Sequence, residues 1–262
     1  MMSAAQLVCG FATAAGAGVL AATPNGGDTF TVQNFQFTDT AFLDEVWANG
    51  ATTDFVRVRS PRMHDANQGV RARVAGILGL PLLPEDAGNE LYPADTLTTE
   101  IDATGAGTGA VALLNYYNNL PGVAARLATW AEVSDRIKQI SGVDVALGAI
   151  PAIGSYSAGN AINSLFDNFQ AGSDYALLGY ATSASRLAIA IQGQDTGNLK
   201  IGGPGIADVR STRDWFIRMA ERSGRPYIPI IAANNKGSTN VFQADNAASA
   251  AINVTLFMGE LA

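Results

Sequence analysis

Apolar and polar residues alternate in short runs along much of this chain. Thr29-Phe30-Thr31-Val32, Phe55-Val56-Arg57-Val58-Arg59 and Val70-Arg71-Ala72-Arg73-Val74 all step with period two. That spacing places successive side chains on opposite faces of a strand. Residues 97–101, 110–117, 143–147, 175–180, 186–191 and 198–201 read as further strands. Gly26-Gly27 and Asn49-Gly50 punctuate the runs as turns. Two stretches step with a helical period instead. Thr129-Trp130-Ala131-Glu132 is a capping-box pattern. It predicts a helix over 129–140 with Trp130, Val133 and Ile137 on one face, closed by Ser141-Gly142. A second helix is predicted over 212–222, burying Trp215, Phe216 and Met219 and stopped by Ser223-Gly224.

The same pattern occurs twice. Gly79-Leu80-Pro81-Leu82-Leu83-Pro84 has a counterpart in Gly224-Arg225-Pro226-Tyr227-Ile228-Pro229. Residues 98–120 align without a gap on residues 239–261, so that Thr98 meets Thr239, Tyr116 meets Phe257 and Leu120 meets Leu261. Upstream, the Asp65 turn resembles the Asp195 turn. Three matches in one order predict a duplicated domain. Their unequal spacings assign the second copy about 15 extra residues between Asp195 and Gly224, where the Trp215 helix falls. The expected division is 1–122 for a first β-sandwich with an N-terminal arm. A linker helix and a second β-sandwich then occupy 123–262.

Composition narrows the function. Of 262 residues only 15% are charged and 48% are hydrophobic, well below the usual charged quarter. Much uncharged surface is expected where subunits bury one another. The net charge of −7 argues against direct nucleic-acid binding. One cysteine, Cys9, and one histidine, His64, leave little for disulfide, zinc or triad chemistry. Residues 1–27 carry no charged side chain, so the basic start of a secretory signal is missing. They read as a strand or arm packed on the domain, or as an arm touching a neighbour or a lipid surface.

Candidate chemistry thins out on inspection. Gly105-Ala106-Gly107-Thr108-Gly109-Ala110 is a loose dinucleotide fingerprint. The matching stretch of the repeat, Asn246 to Ala251, has no glycine, so a phosphate cradle is not expected. Ser155-Tyr156-Ser157-Ala158-Gly159 lacks the first glycine of a nucleophile elbow, and His64 precedes the serine where that family has it following. His64-Asp65 has no companion ligands nearby in sequence and reads as a turn. Arg57, Arg59, Arg62, Arg71 and Arg73 crowd two strands. They form either a solvated strand face or a set of candidate intersubunit or lipid-headgroup contacts. No catalytic residue, cofactor or metal is expected, and the chain is not read as an enzyme.

Two tandem, mainly β domains of this size suit eight-stranded jelly rolls with a few short inserted helices. On the paired Gly-x-Pro-x-x-Pro strings, the Asp65 and Asp195 turns and the duplicated terminal segments, the chain resembles the double jelly-roll major capsid proteins of tailless icosahedral viruses and phages. The resemblance implies a structural virion protein located in the capsid. It implies a homotrimer whose six lobes make a near-hexagonal tile. Its partners would be itself, other virion proteins and, through the N-terminal arm, an internal membrane. The alternatives are a capsid or decoration protein of another phage lineage, a two-domain ligand- or carbohydrate-binding β-sandwich protein, and an enzyme on a β-sandwich scaffold.

Overall fold

The structure, a computed structural model, describes residues 3–14, 21–22, 41–49, 53–59, 70–73, 89–92, 97–103, 107–151, 156–162, 169–208 and 212–262. Eight strands form the first half: β1 (Ala4–Ala14), β2 (Ala21–Ala22), β3 (Ala41–Asn49), β4 (Thr53–Arg59), β5 (Val70–Arg73), β6 (Asn89–Leu91), β7 (Thr98–Ala103) and β8 (Gly107–Tyr117). They make two antiparallel sheets, ordered β1-β8-β3-β6 and β2-β7-β4-β5. The second half opens with β9 (Leu127–Ala128) and continues with β10 (Ile137–Leu147), β11 (Asn160–Ala161), β12 (Asp174–Thr182), β13 (Arg186–Gln192), β14 (Ile201–Gly205), β15 (Ile228–Ala232), β16 (Asn240–Ala244) and β17 (Ile252–Leu261). Its sheets are β10-β17-β12-β15-β9 and β11-β16-β13-β14.

Numbered from β1 and from β10, the two halves have one and the same strand order, 1-8-3-6 over 2-7-4-5. This is the two-sheet, eight-stranded jelly-roll arrangement, present twice. Short β9 is an addition, pairing with β15 through Ala128 and Ile228. The duplicated segments found in the sequence, 98–120 and 239–261, are the strand pairs β7–β8 and β16–β17. Each third strand carries a bulge at the same place. One lies between Leu43 and Glu45 opposite Asn115 and Leu114, the other between Leu177 and Gly179 opposite Met258 and Phe257. With the bulges superposed, Leu114 corresponds to Phe257. The ungapped alignment, which put Tyr116 there, is displaced by two residues. A two-residue slip keeps every side chain on its face, so it leaves no trace in the hydrophobic pattern.

The helix expected over 129–140 is much shorter. It runs over α1 (Trp130–Val133), passes through a 3₁₀ turn at Ser134–Arg136, and gives way to β10 at Ile137. The capping box is present, with the Thr129 amide donating to the Glu132 carboxylate at 2.7 Å. Pairing with β17 claims the rest: Ile137 to Leu147 lies along Leu261 to Ile252, and Ser141-Gly142 is mid-strand. A four-residue helical preference cannot compete with a ladder of that length. The other helix, α2 (Trp215–Ser223), buries Trp215, Phe216, Met219 and Ala220 and ends on Gly224 at φ 62°, the left-handed cap that favours glycine. It stands between β14 and β15. From Ile201 to Ile228 the second half spends 27 positions where the first spends 19 from Val70 to Asn89, so the extra length is smaller than the motif spacings imply. Residues 198–200, expected to begin a strand, form a turn with Gly197 at φ 64° and Asn198 at φ 59°. The expected strand at Thr29–Val32, the Gly79–Pro84 string, His64 and Asp65 lie outside the described residues.

The uncharged N-terminal stretch supplies the first strand of the β1-β8-β3-β6 sheet. β1 pairs with β8 along its whole length, from Ala4 with Tyr117 to Ala14 with Gly107. Ala4, Ala5, Leu7, Val8 and Cys9 are all buried. An uncharged sequence is what a strand covered on both faces requires.

Candidate functional site: the junction of the two sandwiches

The sheet β1-β8-β3-β6 is apolar on both faces. Ala4, Val8, Ala41, Leu43, Val46, Ala48, Val111, Leu113 and Tyr117 point into the first sandwich. Alternate residues Ala5, Leu7, Cys9, Trp47, Ala110, Ala112, Leu114 and Tyr116 join the core of the second. The bulge at Asp44 makes this possible in β3. It shifts the alternation by one, so that Leu43 and Val46 share the inner face while Glu45 and Trp47 face the other half.

What meets this outer face is the β13–β14 edge of the second sandwich and the segment around α2. The Leu7 amide donates to the Lys200 carbonyl at 2.7 Å. Trp47 Nε1 donates to the Leu187 carbonyl at 2.7 Å, and its ring stands edge-on to Trp215 with centroids 6.1 Å apart. Trp215 in turn donates to the Gly202 carbonyl at 3.1 Å. A side chain at Gly203 would enter the Trp215 ring, its Cβ falling 2.3 Å from the indole.

Charge is concentrated at one place in this junction. Asp44 and Glu45, from the bulge, meet three residues from the last turn of α2 and the segment just after it. Arg222 Nη1 lies 2.6 Å from Glu45 Oε1, and Arg225 Nη1 lies 2.5 Å from Asp44 Oδ1. The Tyr227 hydroxyl donates to the other Asp44 oxygen. Arg225 also lies over the Phe42 ring, 3.9 Å from its centroid. Glu45 Oε2 has no hydrogen-bond partner among the described residues, and the residue is 1% exposed. Burial pushes its carboxyl up to about 8, outweighing the Arg222 charge that pulls it down. Burial, then the Asp44 charge, push the Tyr227 phenol well above its ordinary value. Chemically the cluster is a clamp: it fixes the angle between the sandwiches, and its pairs are too enclosed to serve an incoming ligand.

A second tie lies at the linker. Arg126 forms a two-pronged pair with Asp174, at 3.1 and 2.5 Å, and approaches Asp195 at 3.5 Å. Asp195 Oδ2 accepts from the Ala232 amide and from Asn235. The aspartate turn seen in the sequence repeat is therefore an anchor for the linker and for the end of β15.

The sequence-predicted residues behave differently from one another. Arg57 and Arg59 converge on Glu100 across β4 and β7, at 2.5 and 3.1 Å. Burial raises the Glu100 carboxyl, but the two arginines' hydrogen bonds and charges hold it below its usual value. Arg71 sits opposite Arg57 in the β4–β5 ladder and Arg73 opposite Phe55; Arg62 lies outside the described residues. Ser157 is buried and its hydroxyl accepts the Gln243 amide at 3.1 Å, which is a structural duty. Gly107 opens β8 and no helix follows it, so the dinucleotide pattern lacks its helix N-terminus. Among the described residues no group of three or more His, Cys, Asp or Glu side chains could hold a metal ion. No helix among them is long and apolar enough to cross a membrane. Local patterning does not single out the clamp, although two adjacent carboxylates inside the apolar run Ala41 to Ala48 are a visible irregularity.

No family profile matches the chain, and no curated protein matches it. Among solved structures it is similar to the major capsid protein P2 from Bacteriophage PM2, at 9% identity and a TM-score of 0.23, covering 97% of this chain and 98% of that one. It is also similar to the STIV MCP, at 8% identity and a TM-score of 0.21 over 98% and 96% of the two chains. A third likeness is to PBCV-1 VP54 as fitted into a reconstruction of the virophage Sputnik, at 9% identity and a TM-score of 0.22 over 97% and 93%. The double jelly-roll assignment rests on the strand order itself.

Proposed function

We propose that this chain is a structural virion protein, a major capsid protein whose homotrimers tile an icosahedral shell. The observation that carries the reading is the head-to-tail contact of two sandwiches of identical strand order. The first offers its β1-β8-β3 face and the second offers its β13–β14 edge and α2. Unlike surfaces in contact, within a duplicated unit, make an arrangement that can continue from chain to chain and close into a ring. Three chains of two sandwiches then give six similar lobes and a near-hexagonal tile. The division between the lobes falls in the connection between β8 and β9, at about residue 122. Partners are further copies of the chain and other virion proteins, and no cofactor or nucleic acid is needed. A membrane-facing role finds no support in Ala4–Ala14, whose described side chains lie inside the molecule.

Sedimentation velocity and negative-stain imaging of the purified protein test the reading. A trimer with six-fold-like outline is expected. A monomer at every concentration would overturn it.

A further inference from the structure

The duplication lets each partner in the junction be compared with its counterpart in the other sandwich. The carboxylate pair has no acidic counterpart. With the bulges superposed, Asp44 and Glu45 correspond to Leu178 and Gly179. A side chain at Gly179 is shut out, because its Cβ would fall 2.2 Å from the Arg213 carbonyl oxygen. The basic partner has no basic counterpart either. Arg222, Arg225 and Tyr227 belong to the connection from β14 to β15, residues 206–227, which carries five arginines against three carboxylates. The corresponding connection of the first sandwich, from β5 to β6, is residues 74–88. It contains no arginine or lysine, and it carries Glu85 and Asp86. The acidic bulge therefore occurs once, in the first sandwich, and the basic connection once, in the second.

We infer that Asp44 and Glu45 are specificity-determining residues, which make the outer face of the first sandwich accept a second sandwich and refuse the first sandwich of another copy. That face is apolar at Leu7, Trp47, Leu114 and Tyr116, and apolar contact by itself is non-directional. N-terminal domains fold first during synthesis, so the face meets other chains before its own partner exists. The nearest competitor is the first sandwich of a second copy, because its strand order is that of the proper partner. In such a pair Asp44 and Glu45 would face a connection whose charged residues are Glu85 and Asp86 alone. Like charges would then repel on approach, and two buried carboxylates would be left without a cation. Against residues 206–227 the same carboxylates find Arg222 at 2.6 Å and Arg225 at 2.5 Å. The converse mispairing is closed too: over Leu178 and Gly179 of another copy, Arg222 and Arg225 would lose their carboxylates. A buried ion pair that contributes little net stability can in this way select between two partners of similar apolar fit. The inference stands on the junction and the duplication, beside the capsid reading.

The test places the photo-cross-linker p-benzoylphenylalanine at Phe42, the half-buried ring beneath the Arg225 guanidinium. Full-length protein is refolded from denaturant at a series of concentrations and neutral pH, then illuminated, and the cross-linked segments are identified by mass spectrometry. With the native clamp, cross-links are expected to run to residues 206–227 at every concentration. Asp44→Asn with Glu45→Gln removes both charges of the bulge. Glu85→Lys with Asp86→Lys instead makes the first connection basic and leaves the clamp residues unchanged, so the test survives if the neutralised clamp does not fold. Each variant is expected to raise cross-links from position 42 to residues 74–88 of another copy by about fivefold or more. A variant of either kind that is folded by circular dichroism and lacks that rise would overturn the inference. Sedimentation velocity reports separately on the capsid reading: a monomer with selective cross-links would overturn that reading and leave this one standing.

Discussion

The indole nitrogen of Trp47, in the first sandwich, donates a hydrogen bond to the carbonyl of Leu187, in the second, at 2.7 Å with both residues fully buried. The bond spans 140 positions of chain and joins β3 to β13, two strands that share no ladder. Replacing Trp47 by Phe keeps most of the apolar contact and strands a buried carbonyl. The expected cost is about 1–3 kcal/mol, read as a lower denaturation midpoint. If the junction is one continuous core, unfolding remains a single transition in both proteins.

Glu45 makes stability fall as pH rises. Its folded-state carboxyl is raised to about 8 against an ordinary 4.5. Below pH 4.5 both folded and unfolded forms hold the proton, and the group contributes no slope. Between 4.5 and 8 the unfolded chain releases the proton while the folded chain keeps it, so rising pH favours unfolding. Glu45→Gln removes this dependence. Unfolding free energies measured from pH 5 to 8 are expected to decline more steeply for the wild type than for the variant. Parallel curves would show that Glu45 is ionised throughout.

Glu100 should behave in the opposite sense. Its carboxyl is held below the ordinary value by Arg59 and Arg57 against the opposing effect of burial. A depressed group contributes stability above its unfolded value of 4.5 and loses it as pH falls through the folded value. The Glu100→Gln variant is expected to be less stable than wild type at pH 7 and to converge on it in acid, as followed by thermal melts between pH 3 and 7.

Gly179 is required by the close passage of the chain entering α2. A Cβ there would fall 2.2 Å from the Arg213 carbonyl oxygen, a backbone atom that cannot swing away. Gly179→Ala is expected to lower stability by about 1–3 kcal/mol, measured by denaturant titration. Gly224→Ala makes a useful contrast: nothing lies within 4 Å of its Cβ, and only the φ of 62° opposes the change. Its cost is expected to be about 1 kcal/mol.

Removal of residues 1–14 deletes β1 and uncovers β8 on one side. Leu113 and Leu114, now wholly buried, would line a new sheet edge. The truncated chain is expected to be insoluble or to lack a cooperative melt. A soluble truncation with wild-type melting would mean that β1 is a dispensable arm.

Much of the fold is legible in the order of residues alone. Period-two runs place β4 and β5, and short apolar runs place β8, β12 and β13. The repeat also locates the β7–β8 and β16–β17 pairs, because the same run of residue types recurs in both halves. Helix α2 is legible in the same way, its Trp215, Phe216 and Met219 lying on one stripe with a glycine stop behind them. The helix expected over 129–140 is not, because the same apolar residues serve a strand as well as a helix, and β17 decides between them by offering a long ladder. The junction is less legible still. Asp44 and Glu45 are separated from Arg222, Arg225 and Tyr227 by some 180 positions of chain, and no local pattern links them.

Taken alone, the amino-acid sequence determined that the protein is β-rich, that its terminal segments are duplicated, and that its N-terminal stretch can be buried without burying charge. Periodicity and composition are local, so they survive without a fold. Tertiary structure alone decided the rest. It set the common strand order, the two-residue correction of the repeat, the burial of one sandwich's outer face, and the meeting of its Asp44 and Glu45 with Arg225 and Arg222 of the other. Those depend on which strand pairs with which and on what lies across a sheet. Such contacts are made between residues distant in the chain, where neighbouring side chains carry no record of them.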